Sequence, residues 1–223
     1  MLDDSSPESG LSLRITEIFH SLQGESRTVG IPTVFVRLAG CPLRCQYCDT
    51  AYAFEGGAIT SLQQILDTVA SYACNYVTVT GGEPLAQPNC LPLLQALCNR
   101  NYKVSLETGG AMPIDDVDQR VSVVLDIKTP GSNEVAKNRF ENVSRLKPDD
   151  QVKFVICDRT DYEWSKAKLQ LLDLASRVNE ILFSPSFEQL PAAQLADWIL
   201  QDSLPVRMQM QMHKQIWGTV AGK

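Results

Sequence analysis

The chain is short of positive charge. Its 223 residues carry 20 Lys and Arg against 26 Asp and Glu, a formal charge of −6. A sequence-blind nucleic-acid binder needs a surplus of cations, so that partner class is argued against. Long apolar runs are absent too: no stretch reaches the roughly 18 residues that a membrane span needs. The first ten residues are acidic and polar, with neither a basic n-region nor an apolar h-region, so no export signal and a cytoplasmic location are expected. No internal repeat, low-complexity tract or linker divides the sequence. An allowance of about 150 residues per domain gives one large domain or two small ones, and the expected organisation is a flexible tail over 1–10 and a single domain over 11–223. A composition of 44% hydrophobic and 21% charged residues suits a soluble chain with a sizeable core.

What is present is a recurring β-branched run. Thr33–Leu38, Tyr76–Thr80, Lys103–Leu106, Val121–Ile127, Gln151–Ile156, Glu180–Phe183 and Val206–Met212 read as strands. Several are nearly continuous in apolar residues, as parallel strands covered on both faces are. Between them, Ser61–Ala70 carries Leu62, Ile65, Leu66 and Val69 at helical spacing, with Ser61 as the cap. Leu91–Leu97 and Asp161–Val178 read similarly. Alternating strands and helices predict an α/β fold with right-handed crossovers. Six or seven units fall short of a complete eight-fold barrel of about 250 residues, leaving an incomplete barrel or an open parallel sheet. In either, the functional site belongs at the C-terminal strand ends. Four polar or glycine-rich segments fall there: the cysteine loop after Leu38, Thr80-Gly81-Gly82-Glu83-Pro84, Glu107-Thr108-Gly109-Gly110 and Asp126-Ile127-Lys128.

Seven cysteines form an odd set for a disulfide framework. Cys74, Cys90, Cys98 and Cys157 are scattered and read as small buried apolar residues. Cys41, Cys45 and Cys48 share the segment Cys-Pro-Leu-Arg-Cys-Gln-Tyr-Cys. Three soft ligands on one loop suit an iron–sulfur cluster. Structural zinc competes, but it usually shows paired C-x2-C units and needs a fourth ligand, from a remote cysteine, His20 or His213. Unligated thiols are the third reading. A four-iron cluster on three cysteines leaves one iron open to a substrate or cofactor.

The C-x3-C-x2-C loop, with Tyr47 before its last cysteine, resembles the signature of the radical S-adenosylmethionine enzymes, and Gly81-Gly82-Glu83-Pro84 resembles their glycine-rich segment. A narrower resemblance spans almost the whole chain. Phe19-His20-Ser21-Leu22-Gln23-Gly24-Glu25, Phe35-Val36-Arg37-Leu38, Cys48-Asp49-Thr50 and Met212-His213-Lys214 resemble the 7-carboxy-7-deazaguanine synthase family. That resemblance implies a radical SAM type incomplete (β/α) barrel of about six parallel strands. It implies conversion of 6-carboxy-5,6,7,8-tetrahydropterin to 7-carboxy-7-deazaguanine with loss of ammonia, on the route to queuosine and other deazapurines. The implied cofactors are a 4Fe–4S cluster, S-adenosyl-L-methionine and Mg2+. The implied partners are the small pterin, an electron donor such as flavodoxin or ferredoxin, and a second copy in a homodimer.

Carried onto this chain, the resemblance gives Cys41, Cys45 and Cys48 to the cluster, whose open iron binds the methionine amine and carboxylate. Tyr47, Gly81, Gly82, Glu83, Glu107, Thr108, Asp126, Ile127, Lys128, Ser184, Pro185, Ser186 and Phe187 fall to S-adenosylmethionine. Asp126-Ile127-Lys128 stands where the family carries Ser-Pro-Lys, so only the lysine is retained. Lys128 is expected to neutralise a carboxylate and Asp126 to serve a ribose hydroxyl. Thr50 is the implied magnesium ligand; from the residues alone it reads as a turn residue, and Asp49 as a cap or a supporting acceptor. A single-ligand hard cation fits magnesium, which keeps waters and takes its other oxygens from substrate. Leu22, Gln23, Gly24, Glu25, Thr80 and His213 fall to the substrate, His213 at the end of the last strand. Arg37 ends an otherwise apolar strand, where its donor fork suits the pterin carboxylate. The tail after His213 is expected to fold over the pocket.

Two other readings share parts of this pattern. A glycyl-radical activating enzyme uses the same cluster motif on a protein partner. A structural zinc or electron-transfer module leaves the glycine-rich and Glu-Thr-Gly-Gly strand ends without a purpose.

Overall fold

The computed structural model describes residues 10–220 and 222; the expected tail over 1–10 lies outside them apart from Gly10, an exposed turn. The strands are β1 (Ser12–Leu22), β2 (Pro32–Leu38), β3 (Ala58–Ser61), β4 (Tyr76–Gly81), β5 (Lys103–Thr108), β6 (Ser122–Asp126), β7 (Gln151–Ile156), β8 (Glu180–Pro185) and β9 (Arg207–Met208). The helices are α1 (Leu62–Ser71), α2 (Cys90–Asn99), α3 (Arg159–Leu171), α4 (Leu174–Arg177), α5 (Ala192–Gln201) and α6 (Met212–Trp217). All nine strands join one sheet in the order β3-β1-β2-β4-β5-β6-β7-β8-β9. From β2 onward along that order every neighbour is parallel, whereas β1 runs antiparallel to both β2 and β3. The sheet therefore has two edges, β3 and β9, as an incomplete barrel must.

The apolar runs place the core as expected. Leu62, Ile65, Leu66 and Val69 are all buried on α1, whose start is closed by reciprocal Ser61 and Gln64 bonds. Phe154 of β7 and Phe183 of β8 are fully buried and meet edge-to-face, with ring centroids 5.4 Å apart. Tyr162 of α3 packs edge-on against Phe183 and donates its hydroxyl to Trp198 O at 2.8 Å, so its polar tip is satisfied.

Several details differ from the sequence reading, which also lacked β3 and α5. β1 was missing from it, because Arg14, Thr16, Glu17 and His20 break up an otherwise apolar strand that covers one side of β2. The Asp161–Val178 helix is two helices, broken where Asp173 takes a left-handed φ of +48°. The last strand shrinks from Val206–Met212 to Arg207–Met208. Beyond it, Met212 N donates to Gly24 O at 3.0 Å, drawing the chain off β8 and toward the loop after β1. His213 consequently stands on α6, not at a strand end. Finally, only short 3-10 turns, with no α-helix, join β6 to β7, so the strand–helix alternation is incomplete.

Truncating Phe154 to alanine should cost about 3–5 kcal/mol, since it removes a fully buried ring from the β7–β8 core. Urea unfolding of the two proteins, read by far-UV circular dichroism, measures it.

Candidate active site

The ends of β2, β4, β5, β6, β7 and β8 open on one cavity of about 400 Å³. Cys41, Cys45 and Cys48 form part of its wall, and none is in a disulfide. Their loop is pinned from both sides. Gly40, at φ +93°, donates its N–H to Ala53 O at 2.8 Å. The Arg44 guanidinium donates to Cys41 O at 2.7 Å and Leu43 O at 2.8 Å, and Arg44 N–H donates to Glu134 Oε1 at 2.6 Å. Gln46 N–H donates to Ser132 O at 3.1 Å. Burial pushes the Cys45 thiol up to about 11 and raises Cys41 and Cys48 in the same direction. Keeping three thiolates there takes a strongly positive group on the loop, which a metal centre provides. Among the described residues no three His, Cys, Asp or Glu side chains converge on a single ion. An iron–sulfur cluster makes a different demand, because each cysteine binds its own iron.

The glycine-rich turn after β4 is shaped by contact with this loop. Gly81 has φ +147°, and a Cβ there would lie 2.1 Å from Leu38 O. A Cβ on Gly82 would lie 2.2 Å from Gly40 O and 2.8 Å from Cys41 Cβ. Any side chain at either position would push the cysteine loop away. Glu83 does not line the cavity. It is fully buried and turned into the scaffold, accepting from Thr108 Oγ1 at 2.9 Å, Gly109 N–H at 2.8 Å and Leu85 N–H at 3.1 Å. Burial raises its carboxyl above the usual range, and the three donors oppose that. The side chain thus ties the turn after β4 to the turn after β5.

At the end of β6, Lys128 Nζ pairs with Asp126 Oδ2 at 2.8 Å. Burial alone would discharge this lysine; Asp126 overrides it and holds the ammonium charged. Lys128 is therefore already neutralised by its own neighbour. Asp126 Oδ1 and the Tyr47 hydroxyl are buried with no hydrogen-bond partner among the described residues, and both residues line the cavity. An unanswered acceptor and donor in a pocket wall are what a polar ligand completes. Ser184, Ser186, Phe187 and Thr108 line the same end, whereas Ile127 and Pro185 are buried behind it.

The opposite end carries most of the charge. Glu25 forms an ion pair with Lys153 through Oε2 and accepts from Gln211 Nε2 at 2.8 Å through Oε1. Glu107 accepts from Thr80 Oγ1 at 2.9 Å and Gln23 Nε2 at 3.3 Å; burial, with Glu25 close by, raises its carboxyl. Arg37 Nε donates to Glu17 Oε1 at 2.7 Å, and Tyr52 donates to the same oxygen at 2.8 Å. Leu22 and Gly24 complete this wall. A Cβ on Gly24 would lie 2.1 Å from His213 Nδ1, so the glycine lets α6 close against the loop after β1. Burial lowers the His213 imidazole, which is therefore neutral at pH 7. Thr50 Oγ1 donates to Asp49 Oδ1 at 2.8 Å, and Lys214 Nζ pairs with Asp49 Oδ2 at 2.8 Å.

The structure thus gathers every residue proposed from sequence except Glu83, Ile127 and Pro185 onto the cavity wall. Sequence reasoning missed Lys153, Tyr52 and Gln211, and gave Asp49 and Lys214 no contact with each other. Lys153 had a legible signal: a lysine inside the apolar strand Gln151–Ile156, the same anomaly that marked Arg37. Replacing Gly24 with alanine should force α6 outward, read as faster tryptic cleavage after Lys214 than in the native protein.

Comparison with known proteins agrees with this layout. The Radical SAM superfamily profile matches residues 35–145. The 7-carboxy-7-deazaguanine synthase of Chlorobaculum tepidum is 44% identical over 92% of this chain and 94% of its own length. That of Koribacter versatilis is 42% identical over 92% and 97%. The crystal structure of QueE from Escherichia coli superposes with a TM-score of 0.77 at 21% identity, covering 96% of this chain and all of that one, which supports the shared fold. These likenesses do not favour a glycyl-radical activase or a zinc module. With identity above 40% across nearly all of both chains, and a cavity edged by the superfamily's three cysteines, the chain belongs to the 7-carboxy-7-deazaguanine synthase family of radical SAM enzymes.

Proposed function

We propose that the chain converts 6-carboxy-5,6,7,8-tetrahydropterin into 7-carboxy-7-deazaguanine with loss of ammonia, for queuosine and other 7-deazapurines. The observation that carries this reading is the two-ended cavity. Three cysteines and the Gly81-Gly82 turn stand at one end, and Gln23, Glu25, Glu107 and Arg37 at the other. A 4Fe–4S cluster with S-adenosylmethionine supplies one-electron cleavage of the sulfonium and, from it, hydrogen abstraction. The residues of the chain bind, orient and exclude water.

Cys41, Cys45 and Cys48 would each hold one iron of the cluster. Asp126 Oδ1, without a partner, accepts from a ribose hydroxyl of the cofactor, and Tyr47, Thr108, Ser184, Ser186 and Phe187 enclose it. The Glu83 side chain holds the turns after β4 and β5 in register. Arg37 spends only its Nε–H on Glu17 among the described residues, so its two Nη groups remain for the pterin carboxylate. Glu17 and Tyr52 keep that guanidinium in one orientation. Gln23, Glu25, Glu107 and Thr80 take the amino and lactam edge of the ring, and neutral His213 closes that end from α6. The Thr50 hydroxyl donates its hydrogen bond to Asp49, leaving its oxygen lone pairs for Mg2+, which would orient the substrate carboxylate. The remaining parts of the reading are a single domain over 11–223, a homodimer, a cytoplasmic location, and flavodoxin or ferredoxin as electron donor. No helix among the described residues is long and apolar enough to cross a membrane.

Anaerobic reconstitution with iron and sulfide, followed by reductant, S-adenosylmethionine, Mg2+ and the pterin, should give 7-carboxy-7-deazaguanine by mass spectrometry. Cys45→Ala should lose both cluster iron and turnover; iron retained with full activity would refute the ligand assignment. Arg37→Ala should raise the KM for the pterin about tenfold or more, as loss of a charge-assisted fork does, while cofactor cleavage without product persists. A KM equal to that of the native enzyme sinks the Arg37 role.

A further inference from the structure

Charge around the cavity is matched pair by pair, with one exception. Glu17 has Arg37, Asp126 has Lys128, Asp49 has Lys214 and Glu25 has Lys153. Glu107 is held only by the neutral donors of Thr80 and Gln23 among the described residues. Gln23 joins it to Glu25, donating from Nε2 to Glu107 and accepting from the Glu25 N–H at 3.2 Å, so both carboxylates stand on one wall with Lys153, which pairs with Glu25. Lys153 stands mid-strand on β7, beside Asp126 of β6 and Leu182 of β8. Its strand neighbours Val152 and Phe154 are buried in the core, while Lys153 and Val155 face the cavity. Its side chain and that of Glu25 are only 14% and 15% exposed. A lysine so enclosed has no packing role that a leucine or methionine would not fill better.

We propose that Lys153 sets the edge specificity of this cavity, its ammonium keeping Glu25 and Glu107 both in acceptor form so that the pair takes a ring edge carrying adjacent N–H donors. The inference rests on the pterin reading above and adds the residue that makes the reading selective. Each carboxylate oxygen can accept twice, and each of these four has accepted one bond from the protein. Both therefore retain acceptor capacity at fixed orientation. Two carboxyl groups sharing a site without a cation retain a proton between them, which turns one acceptor into a donor. Other charges face this pair from β1 (Glu17), β2 (Arg37), β6 (Asp126, Lys128) and α6 (His213, Lys214), with Asp49 beyond Gln211. Each of those carboxylates and cations has its own partner, and His213 is neutral.

Equilibrium binding to the reconstituted enzyme tests this, with 6-carboxytetrahydropterin and its 2-oxo (lumazine) analogue as probes from pH 6.5 to 9. Native affinity for the pterin should be nearly flat from pH 7 to 9 and should favour the 2-amino ring. Lys153→Met should bind the pterin about tenfold more weakly at pH 7 and recover as pH rises and the shared proton leaves. Its preference for the 2-amino over the 2-oxo ring should shrink by about fivefold or more, because a protonated carboxyl can donate to the 2-oxo group. Lys153→Arg, which keeps the charge, should retain the native pH profile. The double variant Lys153→Met with Glu25→Gln removes the second carboxylate and should lose the pH dependence, which keeps the test valid if Lys153→Met folds poorly. A pH profile as flat in Lys153→Met as in the native enzyme, or a pH dependence that persists in the double variant, overturns the inference alone. Native enzyme that does not bind the pterin overturns the proposed function with it.

Discussion

A carboxylate or ammonium removed from water must find an opposite charge or a set of donors, because its desolvation otherwise costs more than any packing nearby returns. The cavity of this protein is organised by that constraint. Its wall is drawn from the loops and strand ends of almost every sheet element, and several of its charged groups find their partner in another segment. Arg37 of β2 meets Glu17 of β1, Lys153 of β7 meets Glu25 beyond β1, and Lys214 of α6 meets Asp49 beside the cysteine loop. These pairs fix rotamers as well as charge. A guanidinium held at Nε by Glu17 presents its Nη groups in one direction only, and a carboxylate gripped by Lys153 and Gln211 has a fixed plane.

Backbone contact does at the cysteine end of the cavity what ion pairs do at the opposite end. Gly81 and Gly82 lie so close to Leu38 and Gly40 that any side chain would displace the loop carrying Cys41. Glu83 follows directly and points away from the cavity, spending its acceptors on Thr108, Gly109 and Leu85. One short segment thus serves two purposes: its glycines set the approach, and its glutamate joins two strand ends. The same economy appears at Asp161, fully enclosed, which accepts from Gly131, Thr129 and Cys157 and so holds the turn that supports Gln46. The loops of the rim are tied to one another by buried acceptors.

Much of this was legible in advance where the signal was local. Apolar runs located the parallel strands, and the rule that sites gather at C-terminal strand ends placed four motifs on one rim. Cys41, Cys45 and Cys48 announced themselves by spacing, and Arg37 by being the one charge in an apolar strand. β1 was not legible, because its polar residues serve cross-strand and cavity contacts that interrupt the apolar pattern. The end of β9 was not legible either, since the residues after Met208 keep strand-like composition while the Met212 N–H goes to Gly24 instead of to β8. The side-chain direction of Glu83 was not legible either. Its place in a glycine-rich strand end suggests a ligand, but the direction of its side chain depends on Thr108 and Gly109, which the chain reaches only by way of α2 and β5.

The sequence by itself determined the fold class and the family, and singled out Cys41, Cys45 and Cys48, because periodicity, cysteine spacing and motif order are properties of short segments. Tertiary structure alone decided which charges meet. Glu25 and Lys153 lie 128 residues apart, and no feature of either segment names the other. Their pairing follows from the sheet order, which brings the loop after β1 over β7 while the strands between them form the cavity floor. An ion pair depends on a separation of a few ångströms in space, and spacing along the chain carries no information about that distance until the sheet has formed.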